Sequence, residues 1–259
     1  MSDPLPYLVD LTLRLGAGVG ELPADTRHRH AEYFLAAQQP DGGFAGREGP
    51  SDLYYTAFGI RALALLARLD GEPAERAAGF LRSRVGGNAH IIDFFSLVFA
   101  AQLIDSAAGV QVFDDADAWR PRVGDAIESL RAADGGYAKS PEGAASSTYY
   151  SFLAVLTRQL IDQPILDPTA MGDFLLSQRR EDGGFVEIRP MRRSGTNPTA
   201  AAVGLLRVLD QLPDASPPRL SADVREDVTD FVLDLQTDEG GIRANTQIPV
   251  ADLLSTFTG

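Results

Sequence analysis

The chain has no cysteine, three histidines and one tryptophan among its 259 residues. Without a thiol it can form no disulfide, no thiolate nucleophile and no metal site that needs sulfur. Positive charge is scarce too: 23 Lys and Arg face 36 Asp and Glu, a formal net charge of −13. Such a surface repels phosphate backbones and anionic lipid, which excludes DNA and RNA as partners. The acidity itself reads as solubility, with an acidic face for a basic partner as the alternative. No uninterrupted apolar run reaches the roughly 18 residues of a membrane span, so none is expected. Apolar residues recur at Leu5, Leu8, Val9, Leu11 and Leu13, but Asp3, Asp10 and Arg14 interrupt them and no basic leader precedes them, unlike a signal peptide. The expected location is cytoplasmic.

What the chain does have is a repeat. Gln39-Pro40-Asp41-Gly42-Gly43-Phe44, Ala133-Asp134-Gly135-Gly136-Tyr137, Glu181-Asp182-Gly183-Gly184-Phe185 and Asp238-Glu239-Gly240-Gly241-Ile242 each lie between helix-like segments. Val85-Gly86-Gly87-Asn88 is a weaker copy. A spacing of roughly 45–60 residues reads as stacked helical pairs. The glycines supply positive φ at a helix end, the preceding acid favours the turn, and the aromatic can plug the seam between units.

Each pair has two kinds of helix. Thr26–Gln38 and Asp167–Gln178 set Tyr33, Phe34, Leu35, Met171, Phe174, Leu175 and Leu176 among polar residues, as outer helices would. Asp52–Leu69, His90–Ile104, Ser147–Ile161, Asn197–Leu209 and a last segment from about Asp252 are apolar nearly all round, which implies burial on both sides. A closed ring of outer and inner helices would bury those faces around a central cavity. Ser51 or Asp52, Ser147 and Asn197 are expected N-caps, Pro198 suits a first helical position, and Asp214–Pro218 is a connecting loop. His28 and His30, two apart on a helix, point away from each other and read as surface residues.

Gly42-Gly43-Phe44-Ala45-Gly46-Arg47 followed by Asp52-Leu53-Tyr54-Tyr55-Thr56-Ala57-Phe58-Gly59 resembles the superfamily of protein prenyltransferase β subunits, terpene cyclases such as squalene-hopene cyclase, and the thioester domains of complement-like proteins. The resemblance covers nearly the whole chain. It implies an all-α fold, an αα-toroid (α/α barrel) of paired outer and inner helices joined by Gly-Gly-aromatic loops, with residues 1–259 as a single domain. Fold alone does not assign activity. The thioester branch requires a cysteine. The cyclase branch uses an Asp-x-Asp-Asp run, whereas Asp114-Asp115-Ala116-Asp117 has the reverse spacing and reads as an acidic helix start.

The prenyltransferase β subunit resembles this chain most closely. Its penultimate unit carries Arg-Pro-x-Lys, matched by Arg189-Pro190-Met191-Arg192-Arg193 with a two-residue extension. In that family the loop cations neutralise the isoprenoid diphosphate, and an Asp-x-Cys with a histidine of the final unit holds a zinc ion that activates the acceptor thiol. Asp-x-Cys is matched here to Asn197-Pro198-Thr199, the final histidine to Ser255, and a further family histidine to Ala144. Neutral amides and hydroxyls are poor zinc ligands. No cofactor is expected, the family zinc site being lost.

The expectation is therefore a prenyltransferase-β-like protein taking an isoprenoid diphosphate or a similar long apolar ligand. Arg189, Arg192 and Arg193 would meet the diphosphate, and Tyr54, Tyr55, Phe58, Phe94, Phe95, Tyr149 and Tyr150 would line the cavity. The alternatives are a non-catalytic lipid-binding or interaction scaffold, with those residues as a solvated loop and ordinary core, and a terpene-cyclase-like enzyme. Family β subunits work beside a helical α subunit, which implies a partner chain or a homodimer. At the C-terminus, Ser255-Thr256-Phe257-Thr258-Gly259 matches only the opening of the first inner helix. Either the chain is truncated there, or Leu5–Leu15 closes the ring.

Overall fold

The computed structural model describes residues 5–85, 90–114, 119–143, 145–213, 215 and 218–259. Gly86, Gly87 and Asn88 of the weak repeat, Asp115, Ala116 and Asp117 of the acidic run, Ala144, and Asp214, Ser216 and Pro217 of the connecting loop lie outside the described residues. Those described form eleven α-helices joined by turns, with antiparallel pairing confined to isolated bridges.

The chain divides into two compact units, Met1–Ile127 with Leu156–Pro164, and Glu128–Val155 with Ile165–Gly259. The first contains α1 (Tyr7–Gly20), α2 (Ala24–Ala37), α3 (Leu53–Leu65), α4 (Gly71–Ser83), α5 (Ile91–Ala108) and nearly all of α6 (Trp119–Glu128). α7 (Thr148–Leu160) begins in the second unit and ends in the first. The second unit adds α8 (Pro168–Ser177), α9 (Thr196–Asp210), α10 (Ala222–Leu235) and α11 (Leu253–Thr258).

In the first unit the core lies among α3, α4 and α5. Ile60 and Leu63 of α3, Leu81 of α4 and Ile104 of α5 are fully buried with Phe44 and Phe80. Burying each of these large side chains stabilises by about 1.5–3 kcal/mol. α4 meets them with Ala74, Ala77 and Ala78, whose small side chains permit close approach. α5 is 18 residues long, with a mean hydropathy of 1.6, long and apolar enough to cross a membrane by length and composition. The sequence reading took His90–Ile104 as an inner helix and expected no span, since Asp93 and Asp105 interrupt the apolar run. Its packing on α3 and α4 marks it as a core helix. α1 also packs on α3, and the Gln159 side chain accepts the Tyr7 N–H at 3.3 Å. Leu8 is the buried residue of α1, while Leu5, Val9 and Leu13 stay exposed.

The Gly-Gly turn explains how pairs stack. Gly42, Gly135, Gly183 and Gly240 all have φ between 83° and 91°, where L side chains are strained. A Cβ at Gly42 would strike the Arg76 carbonyl of α4, and one at Gly183 the Asp227 carbonyl of α10. The second glycine is equally constrained: a Cβ at Gly184 would sit 2.8 Å from the Phe231 ring of α10. The turns at Gly42, Gly135 and Gly183 are thus seats for α4, α8 and α10, whereas a Cβ at Gly240 would meet nothing within 4 Å. In the first of them the acid closes the turn, since Asp41 Oδ1 accepts from the Gly43 N–H (3.0 Å) and from Ser51 Oγ (2.8 Å). Asp134 and Asp182 repeat this with Gly136 and Ser146, and with Gly184 and Ser194. The aromatics that follow, Phe44, Tyr137 and Phe185, are buried as expected.

Helix starts agree with the sequence at Asp52, whose carboxylate accepts the Tyr55 N–H at 2.7 Å, and at Ser147, whose hydroxyl accepts the Tyr150 N–H at 3.0 Å. They differ at α9. Its N-cap is Gly195, Asn197 is already the second helical residue and Pro198 the third. Proline is tolerated there because the first four N–H groups of a helix have no intrahelical acceptor to lose. Burial on both sides holds for α9, with nine buried residues, but α3 exposes Tyr54, Tyr55 and Phe58, and α11 exposes Leu253, Leu254 and Phe257.

Candidate anion-binding loop and flanking aromatics

The loop of residues 186–194 leaves the Gly183-Gly184 turn and returns to start α9. Its two ends are joined: the Gly195 N–H donates to the Phe185 carbonyl at 3.1 Å, and Ser194 Oγ to Asp182 at 2.6 Å. Its first residues are stitched to α7, with the Thr148 N–H on the Glu187 carbonyl (2.9 Å) and Thr148 Oγ1 on the Val186 carbonyl (2.7 Å). The Glu187 carboxylate accepts from Ser147 Oγ and from the Tyr149 N–H, so an anion sits at the positive end of α7.

The tip is braced by Arg180, which the sequence reading missed. Its guanidinium donates to the carbonyls of Arg189 (2.9 Å) and Met191 (3.1 and 3.2 Å) on one side, and of Ser177 and Arg179 on the other. The available signal was a departure within the repeat, since the equivalent positions are Gln39, Ala132 and Thr237.

With the backbone held in this way, the three expected arginines are free. Arg189, Arg192 and Arg193 are exposed, and none has a side-chain partner among the described residues. Free guanidinium forks on a fixed backbone suit phosphate or carboxylate oxygens.

Tyr149 and Tyr150 are half-buried at the start of α7, their rings 6.0 Å apart. Burial, with the Glu187 charge second, pushes the Tyr150 phenol above its ordinary pKa. The Tyr54 phenol also goes up, through burial, then Tyr55 and Asp52. Both therefore stay protonated at neutral pH, as hydrogen-bond donors rather than bases. In the first unit Tyr54 lies edge-on to Tyr55 (5.4 Å) and to Phe58 (4.9 Å). Phe94 and Phe95 are half-buried on α5, where Phe95 stacks on the buried Phe99 at 5.6 Å. His28 is exposed beside Glu32 at 3.9 Å.

The residues matched to the zinc positions need a corrected register. Asp52, the match to the family aspartate in the first repeat, is an N-cap, and the N-cap of α9 is Gly195. The cysteine position two residues on is then Asn197, not Thr199. Thr199 is engaged elsewhere, its buried Oγ1 accepting the Phe185 N–H at 2.9 Å. Thr56, Ser151 and Thr256 do the same for Phe44, Tyr137 and Ile242, each at 2.9 Å. Asn197 Oδ1 accepts from Thr258 Oγ1 (2.7 Å), and Ser255 Oγ donates to Asp252 (2.8 Å). A glycine, an engaged amide and an engaged hydroxyl do not fit Zn²⁺.

The family model of the prenyltransferase alpha-alpha toroid domain matches residues 20–79 and 91–250. No curated protein matches in sequence. Among solved structures, the chain is similar to Candida albicans protein geranylgeranyltransferase-I complexed with GGPP, at TM-score 0.72 and 13% identity, over 99% of this chain and 82% of that one. It is also similar to the type II terpene cyclase MstE from Scytonema, at TM-score 0.58 and 16% identity, over 90% of this chain and 69% of that one. A variant of that cyclase in complex with geranylgeranyl dihydroxybenzoate gives TM-score 0.58 and 16% identity, over 89% and 69%. Both likenesses are of fold.

Proposed function

The chain belongs to the prenyltransferase alpha-alpha toroid domain family, and from that premise we propose that it binds an isoprenoid diphosphate or a similarly long apolar ligand with an anionic head. The observation that carries the reading is the loop of residues 186–194. Its backbone is tied at both ends and braced at its tip by Arg180, while Arg189, Arg192 and Arg193 have no side-chain partner among the described residues. In a chain of net charge −13, three unpaired cations within five residues form a local site for a polyanion. Tyr149 and Tyr150, joined to the loop through Ser147 and Glu187, offer aromatic surface to the hydrocarbon. The GGPP named with the geranylgeranyltransferase supports this ligand class.

Transfer to a zinc-activated thiol is not part of the proposal, because Gly195 has no side chain and the engaged Asn197 amide and Ser255 hydroxyl are poor zinc ligands. That chemistry favours a second reading, a non-catalytic ligand-binding or scaffold protein. Incubation with geranylgeranyl diphosphate and a panel of acceptors separates the two: a prenylated product identifies a transferase, and intact diphosphate recovered from a stoichiometric complex identifies a binder.

Calorimetry tests the site itself. Farnesyl and geranylgeranyl diphosphate should both bind, and Arg192→Ala should cost about 1.5–3 kcal/mol of affinity, the range for hydrogen bonds to charged groups. Stability should hardly change, since Arg192 is exposed and unpaired. Equal affinity of variant and wild type would return these arginines to a solvated loop.

A further inference from the structure

The first unit holds a cation that the proposed diphosphate site does not use. Arg61 lies in α3, among apolar and small residues. Its Nε and Nη2 are shut off from solvent, and neither has a hydrogen-bond partner among the described residues. The guanidinium carbon rests 5.7 Å from the centroid of the Phe99 ring. Burial pushes its pKa down while Tyr7 opposes the shift. An arginine nonetheless stays charged in a protein, so an unpaired and largely buried guanidinium is a standing cost.

Its neighbours on the helix surface have the opposite imbalance. Residues 54, 58 and 61 follow i, i+4, i+7 spacing and share one face of α3. Tyr54 and Phe58 on that face are 40% and 51% exposed and pack edge-on against each other. One face thus leaves large aromatic rings in water and a cation without a counter-charge. Tyr54 and Arg61 are about 10 Å apart along the axis, at 1.5 Å per residue.

We propose that this face of α3 is a binding subsite for an apolar carboxylic acid, with Arg61 at the carboxylate and Phe58 and Tyr54 along the hydrocarbon. Nε and Nη2 form the edge of the guanidinium that meets two carboxylate oxygens side by side. Because neither Nε nor Nη2 has a hydrogen-bond partner among the described residues, turning that edge to a ligand gives up no bond of theirs. A single guanidinium balances a single carboxylate, whereas a diphosphate would keep most of its charge uncompensated. The subsite therefore differs in ligand class from the loop of residues 186–194, and it does not rest on the diphosphate reading.

The test is titration of the intact protein with dodecanoate and with dodecanol, followed by calorimetry and by the Arg61 Nε–H resonance in NMR. The expected result is binding of dodecanoate about tenfold or more tighter than dodecanol, the scale of one hydrogen bond to a charged group, with a shift of that resonance. Arg61→Gln should abolish the preference and Arg61→Lys should restore part of it. Equal binding of acid and alcohol, or an unchanged preference in Arg61→Gln, would overturn the proposal. Should Arg61→Gln fail to fold, the wild-type resonance decides, and one that stays unmoved at saturating dodecanoate refutes the subsite. No probe carries phosphate, so failure of the diphosphate site would leave this result standing.

Discussion

Thr199 shows how much one hydroxyl can mislead. Matched by motif alone it falls at a metal-ligand position, yet its Oγ1 holds the buried N–H of Phe185 as Thr56 holds that of Phe44. Thr199→Val should destabilise the protein by about 1–3 kcal/mol, since it strands a buried donor, and Thr199→Ser should restore most of the loss in urea denaturation. The hydroxyl four residues after each N-cap was legible by aligning the chain with itself, which gives Asp52 and Thr56, Ser147 and Ser151, Asp252 and Thr256. At α9 the N-cap is glycine and a proline sits at its third position, so the cap signal is missing and the register slips by two. Arg180 was not legible, because its partners are backbone carbonyls that only the folded loop brings together.

At the scale of elements, the glycine turns were readable because their chemistry is local: positive φ demands glycine, and Asx closure demands the acid. What the second glycine does depends on a helix some 40 residues further on, and sequence spacing alone does not reveal it. Gly184→Ala should cost about 1–3 kcal/mol, as overpacking against Ser194 and Phe231 forces a shift. Gly79→Ala is the control: it lies within α4 with nothing within 4 Å of a new Cβ, and should stabilise by about 0.5–1 kcal/mol. Thermal melts of the pair compare a seat with an ordinary helical glycine. α11 gives a pH prediction. Hydrogen bonds from the Ser255 backbone and hydroxyl hold the Asp252 carboxyl below its ordinary pKa. The folded value lies below the unfolded one, so the cap's contribution is present above the usual carboxylate range, near pH 4, and is lost as pH falls through the lowered value. The Ser255 amide should lose protection, measured against its intrinsic exchange rate, as pH falls, and Asp252→Asn should remove that dependence.

At the scale of the whole molecule, the all-α class was legible from the repeat and the family match bears out the αα-toroid, whereas burial on both sides, expected of every inner helix, holds for α9 and not for α3 or α11. The proposed ligand sites were legible only in part, because the arginine-rich loop is a sequence feature whereas Arg61 stands out only once its lack of partners among the described residues is seen. Elemental analysis of gently purified protein should find no stoichiometric zinc; one zinc per chain at Asn197 and Ser255 would reverse the donor argument. The most direct test of the proposed function is a side-by-side titration with geranylgeranyl diphosphate and geranylgeraniol at low and high salt. The diphosphate should bind at least about tenfold more tightly, and added salt should weaken it far more than the alcohol, since the advantage comes from charge. Equal affinity for the two, unchanged by salt, would contradict the account.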